Sequence, residues 1–238
     1  MSAVTSLSQQ ELFANRFELL SRLADDLAHE IKNPFHAMII NLEVLRKRVG
    51  AGATDVALER AAVIEHEIQR VHQVVDHLLR LLRPDPEGLR DLDPGHVLSE
   101  LVPLIELRAR LARVDFLFEP CDEAVTVRAR RDDLEFAVLN LAEPLLDALR
   151  ATGGCLGLSM QCSRDRVRIG ISASPAPGNH DGPRGTAEGI LSTPDRFETA
   201  RALAAELVRE SGGRVERDDR GVASHGEFLV VLPRQSAA

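Results

Sequence analysis

Apolar residues recur at three- and four-residue steps from about residue 9 to Val49, through Phe13, Phe17, Leu20, Ala24, Leu27, Ile31, Met38, Leu42 and Leu45. Such a stripe predicts one long amphipathic helix, interrupted only at Pro34. The run "GAGAT" (50–54) breaks it. Ala61, Ile64, Ile68, Val71, Val75, Leu78 and Leu82 then alternate steps of three and four, with Glu65, Gln69, Arg70, His72, Gln73 and Asp76 among the positions between them. An unbroken heptad seam predicts a second long helix with left-handed supercoiled packing. Two helices joined by a short loop form a hairpin, and a lone hairpin leaves apolar surface in water. Dimerisation into a four-helix bundle removes that surface, so a homodimer is expected.

The pattern changes after "RPDPEGLRDLDPG" (83–95), whose Pro, Asp and Gly content marks a linker. The expected domains are a helical hairpin at 1–83, a linker at 84–94 and an α+β domain at 95–238. Within the last, the periodicity predicts a helix near 95–112, strands at Phe116/Phe118 and Val125/Val127, and a helix at about 131–151. Strands at Leu156/Leu158/Met160 and Val167/Ile169/Ile171 follow, then a loop at 173–196, a helix at 196–211 and a strand at 227–232. That order suggests a two-layer α+β sandwich.

Composition narrows the partners. The 238 residues carry a net charge of -8, which argues against nucleic acid or anionic lipid as the main partner. No apolar run approaches the roughly 18 residues of a membrane span. The N-terminus "MSAVTSLSQQELF" has neither a basic n-region nor an apolar h-region, so a cytoplasmic address is expected. Few residues precede the first helix, so any input signal is expected through another protein, the second module or a partner. Cys121, Cys155 and Cys162 are odd in number and lack CxxC spacing, which fits neither a disulfide framework nor a zinc site. Reduced, structural thiols are expected.

The chemistry concentrates in "LAHEIKNPFHAMIINLEVLRK" (27–47). On a helix His29 and Asn33 lie one turn apart and share a face with Asp25 or Asp26, while Leu27 and Ile31 point to the seam. A nearby carboxylate can hold one imidazole nitrogen protonated and leave the other free to attack phosphorus. Glu30 is the adjacent base, and the Asn33 amide could orient a water. A single histidine on a charged face is ordinarily only a surface residue, and His36, His66 and His72 are read that way.

For His29 the whole string decides. "HEIKNP" in a first helix, followed by a heptad helix and an α+β module, resembles the dimerisation and phosphotransfer domain of sensor histidine kinases, whose H-box reads His-Glu-(Ile/Leu)-(Lys/Arg)-Asn-Pro. The resemblance covers roughly residues 9–234. It implies that His29 is the phosphoacceptor, that Glu30 assists proton removal, and that Asn33 supports phosphatase action on a response regulator. Pro34 would bend the helix one turn beyond the acceptor.

The second module then resembles the family's ATP-binding domain with its nucleotide contacts missing. The asparagine box, normally like NLLxNAxxA, reads "NLAEPLLDA": Asn140 remains, but Pro144 stands where the magnesium-binding Asn belongs. Glu143 as a substitute ligand would be rotated about 100° around the helix. In the first glycine box Ser174 replaces the Asp that accepts the adenine amino group, and Ala176 replaces the first Gly, leaving Gly178. In the second, Glu198 and Ala200 occupy the glycine positions. A carboxylate there would repel phosphates. The sequence therefore points to a phosphorelay protein that exchanges phosphate with response-regulator receiver domains through His29, with no cofactor of its own: magnesium sits in the receiver, and ATP is not expected. An autokinase with divergent ATP contacts and a non-catalytic regulator-binding module are the alternatives.

Overall fold

The computed structural model describes residues 9–30, 32–50, 54–83, 88–176, 194–218 and 227–235; the side chains of residues 26–30, 32 and 33, among others, lie outside the description. The chain divides into two compact units, Glu18–Arg83 and Pro84–Ala238 together with Met1–Phe17.

The first unit is built from α1 (Gln9–Glu30), α2 (Lys32–Gly50) and α3 (Thr54–Leu81), the start of α1 belonging to the second unit. The stripe that predicts one helix is described as helix on both sides of residue 31, with Pro34 buried in α2.

Helix α2 packs on α3. Ala57, Val74, His77 and Leu81 are buried along α3, with Ile64, Val71 and Leu78 half-buried. Of the seven expected seam positions Ala61, Ile64, Val71, Val75 and Leu78 are half-buried. Ile68 and Leu82, also seam positions, are 52% and 54% exposed. A bundle helix has more than one neighbour, so its apolar stripe is wider than one seam, and the flank carrying Ile68 and Leu82 is left uncovered. Across the hairpin Arg60 Nη1 donates to Asn41 Oδ1 at 3.3 Å, while Asn41 Nδ2 donates to the Ala37 carbonyl at 2.8 Å.

The second unit opens with β1 (Arg90–Leu92) and α4 (Pro94–Ala112). Asp93 caps α4 by accepting the Gly95 N–H at 2.8 Å, and Pro94 occupies the first helical position. Then come β2 (Asp115–Glu119), β3 (Val127–Ala129), α5 (Arg131–Thr152), β4 (Gly154–Cys162), β5 (Arg166–Pro175), α6 (Pro194–Arg209), β6 (Arg214–Asp218) and β7 (Glu227–Pro233). Five strands form one sheet in the order β2-β4-β5-β7-β6, with β2 parallel to β4 and the other pairs antiparallel. Strict alternation makes one face apolar: Leu158 lies opposite Ile171, and Ile171 opposite Phe228; Met160 opposite Ile169, and Ile169 opposite Val230. All six side chains are buried, whereas Gly157 and Ser159 between them are only half-buried. Helices α4, α5 and α6 pack on the sheet, giving the expected two-layer α+β domain.

Two strands escape the sequence pattern. β1 lies inside the stretch expected to be linker and pairs antiparallel with β3, and β6 carries a single apolar residue, Val215. Val125 is buried but precedes β3. Among the described residues no helix is long and apolar enough to cross a membrane.

Candidate functional site

His29 and Glu30 lie in α1, and Asn33 and Pro34 in α2. The side chains of His29, Glu30 and Asn33 lie outside the described residues. Pro34 is buried.

The asparagine-box residues sit on α5, which runs unbroken from Arg131 to Thr152. Asn140 is buried, and its Nδ2 donates to the Phe136 carbonyl at 2.8 Å, so the amide is turned back onto its own helix. Pro144, four residues on, brings no N–H to the Asn140 carbonyl. Glu143 is buried and faces Arg108 of α4. Arg108 Nε donates to Glu143 Oε1 at 2.8 Å and Nη2 donates to Oε2, with side chains only 7% and 9% exposed. Both carboxylate oxygens therefore face a guanidinium fork, and a divalent cation could reach Glu143 only by displacing a buried cation from it. Arg108 is the residue that sequence reasoning missed. Its signal was spacing: with Leu101, Leu104, Ile105 and Ala112 it falls on the buried stripe of α4.

The glycine-box positions are built into the scaffold. Ser174 lies in β5 opposite Cys155, and Ala176 follows the strand. Glu198 is exposed on α6 and accepts Arg201 Nε at 3.0 Å. Ala200 is buried among the core residues. Gly178 and the rest of the loop glycines lie outside the described residues. Among the described residues no three His, Cys, Asp or Glu side chains form a cluster able to hold a metal ion.

The same helix α5 is gripped at its start. Arg16 places its Cζ 4.8 Å from the Phe136 ring centroid and pairs with Asp133, with Asp132 at 4.0 Å. Burial pushes the Asp133 carboxyl above its ordinary range, and the Arg16 charge pulls it back. Further along the first turn, Arg131 pairs with Glu100 of α4 and donates through Nε to Glu135 at 2.9 Å. The structure thus brings Asn140, Glu143 and Pro144 together on one helix.

Residues 19–87 match the His Kinase A (phospho-acceptor) domain family. Sporulation kinase D of Bacillus subtilis is 27% identical over 157 residues, covering 66% of this chain and 30% of that protein. The signal transduction histidine-protein kinase AtoS of Escherichia coli is 27% identical over 158 residues, 66% of this chain and 26% of that protein. The chain thus spans under a third of the length of these relatives. The ATP binding domain of PrrB from Mycobacterium tuberculosis aligns with a TM-score of 0.45 at 21% identity, over 62% of this chain and 98% of that one. Residues 19–87 thus match a His Kinase A phospho-acceptor domain, and over about two thirds of its length the chain is similar to sensor histidine kinases.

Proposed function

We propose that this chain is a two-component phosphorelay protein in which His29 takes a phosphoryl group from the aspartyl phosphate of one receiver domain and passes it to another, or yields it to water, without binding ATP. The observation that carries the reading is the Arg108–Glu143 pair beside Pro144. It occupies the carboxylate next to Pro144 in the chain, while "HEIKNP" stands intact within the matched residues 19–87.

Transfer between an aspartyl phosphate and an imidazole needs in-line geometry and a magnesium ion, and the receiver's own acidic pocket provides the metal. The chain's share is the nucleophile and its surroundings: His29 attacks, Glu30 removes its proton, and Asn33 orients a water for the hydrolytic branch. A homodimer accounts for the uncovered apolar side chains of the hairpin, among them Phe35 and Ile39 on α2 and Ile68 and Leu82 on α3. The net charge of -8 favours protein partners over nucleic acid, and a cytoplasmic setting suits exchange with receiver domains.

Incubation of the purified chain with radiolabelled ATP should leave His29 unlabelled, and incubation with phosphorylated receivers should label it, with His29→Ala abolishing the signal. Labelling from ATP that vanishes in His29→Ala would replace the relay with an autokinase. Receivers that keep all their phosphate would reduce the chain to a sequestering module.

A further inference from the structure

At the far end of the sheet two cysteines meet. β2 and β4 run parallel with Glu119 opposite Ser159, so the chain leaving β2 comes abreast of the end of β4 within two or three residues. Cys121 lies in that departing segment and Cys162 is the last residue of β4. One guanidinium clamps the two together: Arg234 Nη1 donates to the Ser163 carbonyl at 3.2 Å and Nη2 to Glu123 Oε1 at 2.7 Å. The Cys121 and Cys162 side chains lie close enough to interact. Both are free and half-buried, within reach of a small oxidant. Cys121 lies two residues beyond β2, whose spacing from β4 is about 4.8 Å, and a disulfide spans Cα separations of roughly 4.4–6.8 Å.

We propose that Cys121 and Cys162 form a reversible dithiol–disulfide site, oxidised by hydrogen peroxide or an organic hydroperoxide, that ties the segment after β2 to β4. The sequence alone suggested three inert thiols; the pairing is a product of the fold.

Burial, and then the hydrogen bond with Cys121, push the Cys162 thiol up to about 12. At neutral pH Cys162 therefore keeps its proton, and the attack is assigned to Cys121. The Cys121 thiolate attacks one peroxide oxygen; an S–O bond forms, the O–O bond breaks, and the departing hydroxide or alkoxide takes up a proton as water or alcohol. The Cys162 sulfur then attacks the Cys121 sulfenic acid, an S–S bond forms, the S–O bond breaks, and the released hydroxide leaves as water with the thiol proton. The two thiols lose two electrons and the peroxide gains them. Cys155 cannot compete: it lies seven residues back along β4, about 23 Å at roughly 3.3 Å per residue.

The test is peptide mapping of the full chain after hydrogen peroxide and then iodoacetamide. The expected result is a Cys121–Cys162 linked peptide lighter by two hydrogens, reversed by dithiothreitol, with Cys155 alkylated throughout. Cys155→Ser should keep the link, and Cys121→Ser or Cys162→Ser should lose it. Alkylation of both Cys121 and Cys162 after peroxide, or a link through Cys155, would overturn the proposal. The wild-type map decides even where a variant folds poorly.

Discussion

Arg108 reaches from α4 to Glu143, 35 residues on, and closes a buried two-point ion pair on the helix that carries Asn140 and Pro144. Removing one partner leaves the other charge stranded, which costs about 3–5 kcal/mol, whereas replacing both with apolar residues of similar size is often nearly neutral. Arg108→Met alone is therefore expected to lower unfolding free energy by about that amount, and Arg108→Met/Glu143→Leu to recover most of it. Urea unfolding of the four members of the cycle measures this. Equal losses in the single and double variants would show that the pair is not the unit of stability.

Nucleotide affinity follows from the same contact. Calorimetric titration of the full chain with magnesium-ATP should give no saturable heat. Pro144→Asn alone should not restore it, because Glu198 and Ala200 remain at the second glycine box and Arg108 still holds Glu143. Micromolar binding by the wild type would require a different set of ligands.

Arg16 and Asp133 give a pH-dependent contribution. Burial raises the folded-state carboxyl above its unfolded value, so the charged form carries a cost that is present above the folded pKa and relieved as pH falls through it. Arg16 offsets that cost only while Asp133 is ionised. Arg16→Met should therefore destabilise by about 1 kcal/mol or more at neutral pH, and by less as pH falls through and just above the ordinary carboxylate range near 4. The residual low-pH loss reports the stacking on Phe136. Unfolding curves at several pH values separate the two, and a penalty independent of pH would remove the ionic part.

The uncovered flank of α3 predicts the oligomeric state. Ile68→Asp, at a position 52% exposed in the single chain, should leave the secondary structure unchanged and turn a dimer into a monomer in sedimentation equilibrium. A wild type that sediments as a monomer would sink the dimer outright.

Within the H-box, Asn33→Ala should slow loss of phosphate from a partner receiver at least several-fold while leaving transfer to His29 measurable. Parallel loss of both steps would assign Asn33 to binding instead of water positioning.

The fold class was legible because its signals are periodic: heptads for the hairpin, alternation in β4 and β5, a short apolar run in β7, and a Pro- and Gly-rich change of pattern near residue 84. What escaped was set by partners distant in sequence. β1 and β6 are short and largely polar, and become strands only because β3 and β7 offer hydrogen bonds to them. Which flank of α3 is covered depends on where α2 lies, and the heptad pattern is satisfied by either flank. At the stretch read as an asparagine box Pro144 was plain in the sequence, but the pairing of Glu143 was not, because an arginine in "IELRARLAR" shows its buried role only against its helical neighbours. The thiol pair needed strand register, which composition does not encode.

The bond between Arg60 and Asn41 deserves a mechanical description. Apolar side chains slide past one another with little loss, but here a guanidinium and an amide key two helices at one height, and the Arg60 Nε is buried with no hydrogen-bond partner among the described residues. A slip of one helical turn, about 5.4 Å, would pull this half-buried pair apart. The hairpin is therefore stiff to axial shear, and displacement applied to one helix is passed to the other as motion of the pair.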